Sequence, residues 1–223
     1  ATSWGVSTRL IGALIMVHGD DKGLRLPPNI APIQIVIIPI YKNDEDKEKI
    51  DSYLQPIINT LDENELLYFV DHREKISPGF KFNEWEMKGV PLRIEVGLRD
   101  IENNVLTVVR RDTLEKNTME FKKAQTSFIN ILNEIQNNLF NQALQFQQDN
   151  TFEIKDYSKF KSLINKGAFI ESYWDGTSES EKKIKKDTSA TIRCIIDEND
   201  LENKKCILSN SPAKYKVVFA KAY

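Results

Sequence analysis

Three stretches of the sequence carry side chains whose type and spacing can do chemistry. The first is Ser7-Thr8-Arg9, a lone arginine among small residues, followed by Gly12 and the turn-dense run His18-Gly19-Asp20-Asp21-Lys22-Gly23. A guanidinium is always charged and forked; on a structural β-hairpin arm it would simply be solvated. Asp20 and Asp21 are adjacent and point apart, so turn capping accounts for them better than a metal site. His18, alone beside that turn, reads as a structural hydrogen-bonder. The second stretch, Ser77–Asp100, interleaves carboxylates, arginines and aromatics: Glu86, Arg93, Arg99 and Asp100 with Phe80, Phe82 and Trp85. Left to itself, Glu86 with Arg93 is a surface ion pair worth little, and the aromatics read as core. Arg110, Arg111 and Lys116 make a basic patch that fits RNA phosphates or a solvated sheet edge equally well. The third is the pair Cys194 and Cys206. Two cysteines are too few for a disulfide framework and fit a reducing compartment; Cys194, on an apolar strand, reads as buried.

The elements that must hold these residues follow from hydrophobic periodicity. The chain has 223 residues, 40% hydrophobic and 29% charged, with a formal net charge of −2. That suits one large or two small globular domains, and it gives no global sign of a nucleic-acid partner, so any basic surface is local. No apolar run has the roughly 18 residues a membrane span needs, and the start at Ala1-Thr2-Ser3 shows no signal-peptide pattern and reads as an interior point of something longer. Residues 1–28 end at Pro27-Pro28, which with Pro32 forms a stiff linker. Residues 33–150 read as α/β: an apolar strand at 33–40, a helix opened by Asn43 with apolar positions Ile50, Leu54, Ile57, Ile58 and Leu61, a strand at 66–70, a helix at 80–87, strands at 92–96, 105–110 and 115–119, and a long helix at 119–148 with Phe121, Phe128, Ile131, Ile135, Leu139 and Phe146 near one stripe. Strands alternating with helices imply a mixed, mostly parallel sheet with helices on both faces. Residues 151–223 read as a small α+β unit with a helix at 157–164 and strands at 169–174, 191–196 and 215–220.

On these residues a resemblance stands. Thr2–Ala13, Met16–Leu24 and Leu26-Pro27-Pro28 look like motif 3 of class II prolyl-tRNA synthetases, and Ser77–Asp100 is similar to the anticodon-binding domain of the same family, in its archaeal/eukaryote-like branch with a C-terminal extension. The resemblance implies that 1–28 is the end of a class II catalytic domain, 33–150 an anticodon-binding domain and 151–223 the family's C-terminal domain. It implies that Arg9 is the catalytic arginine on ATP phosphate, stabilising the pyrophosphate leaving group, that Ser7 sits beside it, and that Ser3, Trp4 and Gly5 line the proline pocket. Guanine offers N1–H and N2–H₂ donors with O6 and N7 acceptors, and Glu86, Arg93, Arg99 and Asp100 match the family's readers of the two anticodon guanines; the family often has lysine at Arg99.

The implied activity is ATP-dependent attachment of L-proline to tRNA(Pro), by a cytoplasmic homodimer using ATP with Mg²⁺ as substrate and with no membrane association. Motifs 1 and 2 are absent from this sequence, so the chain alone is expected to be inactive in adenylation. The same branch carries zinc on two cysteine pairs; here those positions fall in Trp174–Glu181, without cysteine, and in Cys206–Lys214, with Cys206 alone. No zinc is therefore expected, and packing of Trp174, Cys206 and Leu208 is expected to take over its role. Tyr223 matches a terminal tyrosine that folds toward the catalytic domain. The alternative is a non-catalytic anticodon-domain-like RNA-binding module or accessory subunit, which need not keep Arg9. A redox or nucleotide-binding α/β protein is disfavoured by the lack of CxxC and GxGxxG.

Overall fold

The computed structural model describes residues 2–3, 5–199 and 201–221, so the expectations for Trp4 and Tyr223 lie outside the described residues. Residues 1–143 and 144–223 form two compact units. The chain opens with α1 (Arg9–His18), then β1 (Ile35–Ile40), α2 (Asp44–Glu63), β2 (Tyr68–Val70), α3 (Pro78–Met87), β3 (Leu92–Gly97), α4 (Leu98–Glu102), β4 (Val105–Arg110), β5 (Lys116–Glu120) and α5 (Phe121–Asp149). The Ser7–Arg9 stretch is thus the entry to a helix and not a hairpin arm. Nothing on α1 is buried, and Leu10, Ile11, Ile15 and Val17 are exposed. No helix among the described residues is long and apolar enough to cross a membrane.

The first sheet has the order β2-β1-β3-β4-β5, parallel across β2, β1 and β3 and antiparallel from β3 to β5. The central β1 is an unbroken apolar run buried on both faces, as expected for a strand with helices on either side. Ile35 and Ile37 point to one face, where Ile50, Leu54, Ile57 and Leu61 of α2 and Ala124, Phe128, Leu132, Ile135 and Leu139 of α5 complete the main core. Val36 and Ile38 point to the other, against Trp85 and Val90. The helix α2 forms because Asn43 caps Asp46 N at 2.8 Å and three acids occupy its first turn, complementing the dipole. On α5 the buried stripe keeps Phe128, Ile135 and Leu139, but Ala124 and Leu132 replace Ile131, and Phe146 is exposed.

The second unit holds β6 (Thr151–Glu153), α6 (Tyr157–Asn165), β7 (Phe169–Trp174), α7 (Ser178–Thr188), β8 (Ala190–Asp197) and β9 (Tyr215–Lys221), with sheet order β6-β7-β9-β8. Its core is Phe160, Ile164, Ile170, Ile184, Val217 and Phe219, with Phe160 edge-on to Phe219 at 5.2 Å. Cys206 is buried, but Cys194 is exposed on the edge strand β8, against expectation. Where the zinc-type cysteines would fall, a carboxylate organises two loops. Oδ1 of Asp175 accepts from Ser180 Oγ (2.6 Å), Thr177 Oγ1 (2.9 Å) and Thr177 N (3.1 Å), and Oδ2 accepts from Ser209 Oγ (2.6 Å). One thiol, one carboxylate and three hydroxyls are not a structural zinc donor set, and the carboxylate is already engaged by hydroxyls. Packing around Trp174 is therefore joined by a polar clasp the sequence reading missed.

Burial pushes the Asp175 carboxyl up, but the hydrogen bonds from Ser180, Ser209 and Thr177 outweigh it and hold it well below the usual carboxylate range. The clasp is thus complete above the unfolded value of about 3.9 and fades as pH falls toward the folded one. Asp175→Ala should cost the second unit roughly 3 kcal/mol at neutral pH, since it removes the acceptor that three hydroxyls share. Faster amide exchange in β7 and β9 at pH 7, with the gap to wild type closing in acid, is the expected readout.

Candidate nucleic-acid interface

The helix α3 decides where the interface lies. Ser77 caps it, accepting from Phe80 N at 3.3 Å, and Pro78 occupies its first position, a favourable entry because the missing N–H would have had no partner there. Its inner side is held by Asp71, which has no exposure at all. Asp71 accepts from Trp85 Nε1 (2.8 Å), from Arg73 Nε (2.9 Å) and Nη2 (2.8 Å), and its carbonyl accepts from buried Lys81 Nζ (2.9 Å). Arg73 also reaches Glu84 at 2.6 Å. Burial would raise the Asp71 carboxyl, yet the hydrogen bonds from Arg73 and Trp85 carry it far below the usual range. Of the three aromatics expected in the core, Trp85 is buried, Phe82 is partly covered and Phe80 is 60% exposed on the solvent side of the helix.

At the far end of α3, Glu86 meets Arg93 of β3. Their closest approach is 3.8 Å, and Glu86 also lies 3.4 Å from Lys22. Arg93 donates to Glu95 Oε1 at 3.0 Å and to Phe82 O at 3.3 Å, and its guanidinium stands 4.7 Å over the Phe82 ring. Lys116 of β5 donates to the other oxygen of Glu95 at 2.6 Å. Arg93 and Glu95 share the face of Val36 and Ile38, which α3 covers over β1, so the sheet beyond it toward β5 carries charge.

The segment after α1 reinforces this corner. Leu24 N donates to Met87 O and Leu26 N to Gly89 O, at 3.0 and 3.1 Å. Gly89 has φ +78, and a Cβ there would lie 2.6 Å from Leu24 Cβ, so this close approach needs glycine. Asp20 caps Lys22 N, as the turn reading expects, and also takes a two-pronged bond from Arg111 at 2.6 and 2.8 Å. That bond holds the Asp20 carboxyl down to about 2. Arg111 is buried and Arg110 is tied to Asp112 and Glu134, so neither forms the open basic patch or solvated edge suggested by sequence. His18 is engaged through its carbonyl, which accepts from Arg25 Nε at 2.8 Å, and burial beside Arg25 lowers its imidazole pKa.

The other two expected readers stand apart from this corner. Arg93 is at the start of β3, whereas Arg99 and Asp100 follow its end in α4. At about 3.3 Å per residue, the extended stretch from Arg93 to Gly97 alone separates them by roughly 13 Å. Arg99 is exposed. Asp100 reaches back to Gly97 N at 2.8 Å and accepts from Thr107 Oγ1 at 3.3 Å, so part of its acceptor capacity fixes its own turn. Ser3, Gly5, Ser7 and Arg9 are all exposed, the first three without regular secondary structure. No group of three metal-ligating side chains is found among the described residues.

The parallel-then-antiparallel sheet with helices on both faces falls within residues 34–131, which match a family model described as an anticodon binding domain. A second, described as prolyl-tRNA synthetase, C-terminal, matches residues 157–223. The whole chain is 48% identical to the proline–tRNA ligase of Phocaeicola vulgatus, covering 46% of that protein, and 51% identical to that of Chlorobium phaeobacteroides, covering 47%. The relative from Flavobacterium psychrophilum is 47% identical, with 45% of its length covered. The chain belongs to the prolyl-tRNA synthetase family, and it spans about half the length of the curated relatives it matches.

Replacing Asp71 by alanine leaves Lys81 and Arg73 without their buried partner and should destabilise the first unit by about 3–5 kcal/mol. Because the folded carboxyl is depressed, the contribution is whole at neutral pH and is lost as pH drops below about 3.9. Trp85→Phe removes a single donor and should cost about 1–3 kcal/mol. Urea unfolding followed by circular dichroism at pH 7 and in acid checks both.

Proposed function

We propose that this chain is the tRNA-recognising part of a proline–tRNA ligase, which attaches L-proline to tRNA(Pro) at the expense of ATP with Mg²⁺, as a cytoplasmic homodimer. The reading rests above all on Arg93. Its guanidinium is stacked on Phe82 and stands beside Glu86 at a separation too long for a closed hydrogen bond. Such a pair can part to admit a guanine edge, the arginine donating to O6 and N7 and the carboxylate accepting from N1–H and N2–H₂. Arg99 and Asp100, at the other end of β3, take the second guanine. Ser7 and Arg9 belong to the ATP site, and Ser3, Trp4 and Gly5 to the proline site, both completed by sequence that this chain does not contain. By itself the chain binds tRNA(Pro) and forms no prolyl-adenylate.

The test is a fluorescence titration with the tRNA(Pro) anticodon stem-loop and a copy whose two guanines are replaced. Wild type should prefer the native loop, and Arg93→Ala should lose about 1–3 kcal/mol on it while gaining nothing on the altered one. Equal wild-type affinity for both loops removes the base-reading role, and proline-dependent pyrophosphate exchange by the chain alone removes the claim that it is inactive.

A further inference from the structure

The first unit has an opening that base reading at Arg93 does not use. The connection after β1 leads to α2 on one face of the sheet, and the connection after β2 leads to α3 on the other. The two chains therefore diverge between the carboxyl ends of β1 and β2, the place where open α/β sheets admit ligands. Local chemistry keeps the gap open. β2 ends at Val70, opposite Ile37, and Asp71 N donates to Ile37 O at 2.9 Å. Pro39, two residues on and turned to the same edge, has no N–H with which to continue the ladder.

The result is a crevice of about 290 Å³ whose lining includes Lys42, Arg73, Lys75 and Lys81, against the carboxylates Asp44 and Glu74. Lys81 is only 4% exposed. Its ammonium is fixed at 2.9 Å from Asp71 O and 3.6 Å from Asp71 Oδ1, and Arg73 is clamped by Asp71 and Glu84. Two held cations at the wall and two exposed lysines make a site for a compact anion. The volume is at the small end of ligand pockets, enough for one sugar-phosphate and too little for a large cofactor. The first turn of α3 bears no acid to repel an anion from the positive end of the helix dipole. Ile40 pairs with Gly97, so the crevice opens on the same end of the sheet as Arg99 and Asp100.

We infer that this crevice seats a backbone phosphate of the tRNA loop, next to the nucleotide met by Arg99 and Asp100. The inference rests on the anticodon reading above and adds to it a contact that positions the loop without reading sequence.

The experiment titrates the wild-type chain with the tRNA(Pro) anticodon stem-loop, native and guanine-replaced, across a range of salt. A Lys42→Ala/Lys75→Ala chain should bind both loops about 5–20-fold more weakly, with the salt slope reduced by about 0.7–1. Lys182→Ala/Lys183→Ala removes the same charge from exposed positions on α7 and should leave slope and affinity nearly unchanged. Lys81→Met, checked for folding by circular dichroism, should act like the first pair; if it unfolds, the surface pair still decides. If the Lys42/Lys75 chain matches wild type, or falls no further than the Lys182/Lys183 chain, the inference is wrong. It is also wrong if cytidine monophosphate binds in a Lys42/Lys75-dependent way while the stem-loop shows no such dependence. Discrimination between the two loops by wild type tests base reading separately and survives the loss of the phosphate site.

Discussion

A carboxylate withdrawn from water must be met on every side, and in this fold Asp71 imposes that demand. It follows directly on β2, and the groups that answer it come from Arg73 and from one side of α3, namely Lys81 and Trp85. Desolvating a carboxylate costs several kcal/mol unless donors replace the water, so any shift of α3 along its axis would expose an unmet charge. The helix is thereby fixed in register against the sheet as well as packed on it. Apolar packing of Trp85 on Val36 and Ile38 would by itself tolerate a looser placement, because dispersion is not directional.

Two surfaces inherit their geometry from that register. Glu86 is delivered to Arg93 from the last turn of α3, while Lys81 and Arg73 line the crevice near its first turns. The opposite face has no such freedom, since α2 and α5 bury it throughout. The sheet is thus asymmetric by construction: one side is core, and the other is core only under α3, with Arg93, Glu95 and Lys116 on the remainder. A weakly negative chain can in this way present ordered cations locally, which the net charge of −2 does not reveal.

Much of this was legible in the sequence wherever one period governed a segment. β4 and β7 stand where alternation and β-branching put them, and α2 buries four of the five apolar positions that its spacing picks out. The misses share a cause: a partner distant in sequence overrode the local signal. Arg111 looks like surface charge until Asp20, 91 residues away, closes on it. Asp175 stands out in no local pattern until Ser209 reaches it from the β8–β9 connection, 34 residues away. Cys194 lies in an apolar run, yet β8 is an edge strand and its outward positions have nothing to cover them. The helix Arg9–His18 buries nothing among the described residues, so its sequence is not patterned by this part of the protein.

The four residues marked by the anticodon resemblance carry the same lesson into the site. Their closeness in sequence suggests one cluster, but Arg93 sits near the start of β3 and the Arg99–Asp100 pair lies beyond its end, with roughly 13 Å of extended strand from Arg93 to Gly97. The strand thus sets the backbone positions of the two groups apart. On the reading proposed above, the tRNA loop is met at two ends of β3, and a flexible loop spanning them would lose much of its specificity to disorder unless its backbone were held between the two points. The carboxyl end of the sheet supplies fixed cations where such a hold is needed. In this arrangement specificity at Arg93 depends on how firmly the loop is positioned at the other end, and the placement of α3 sets both.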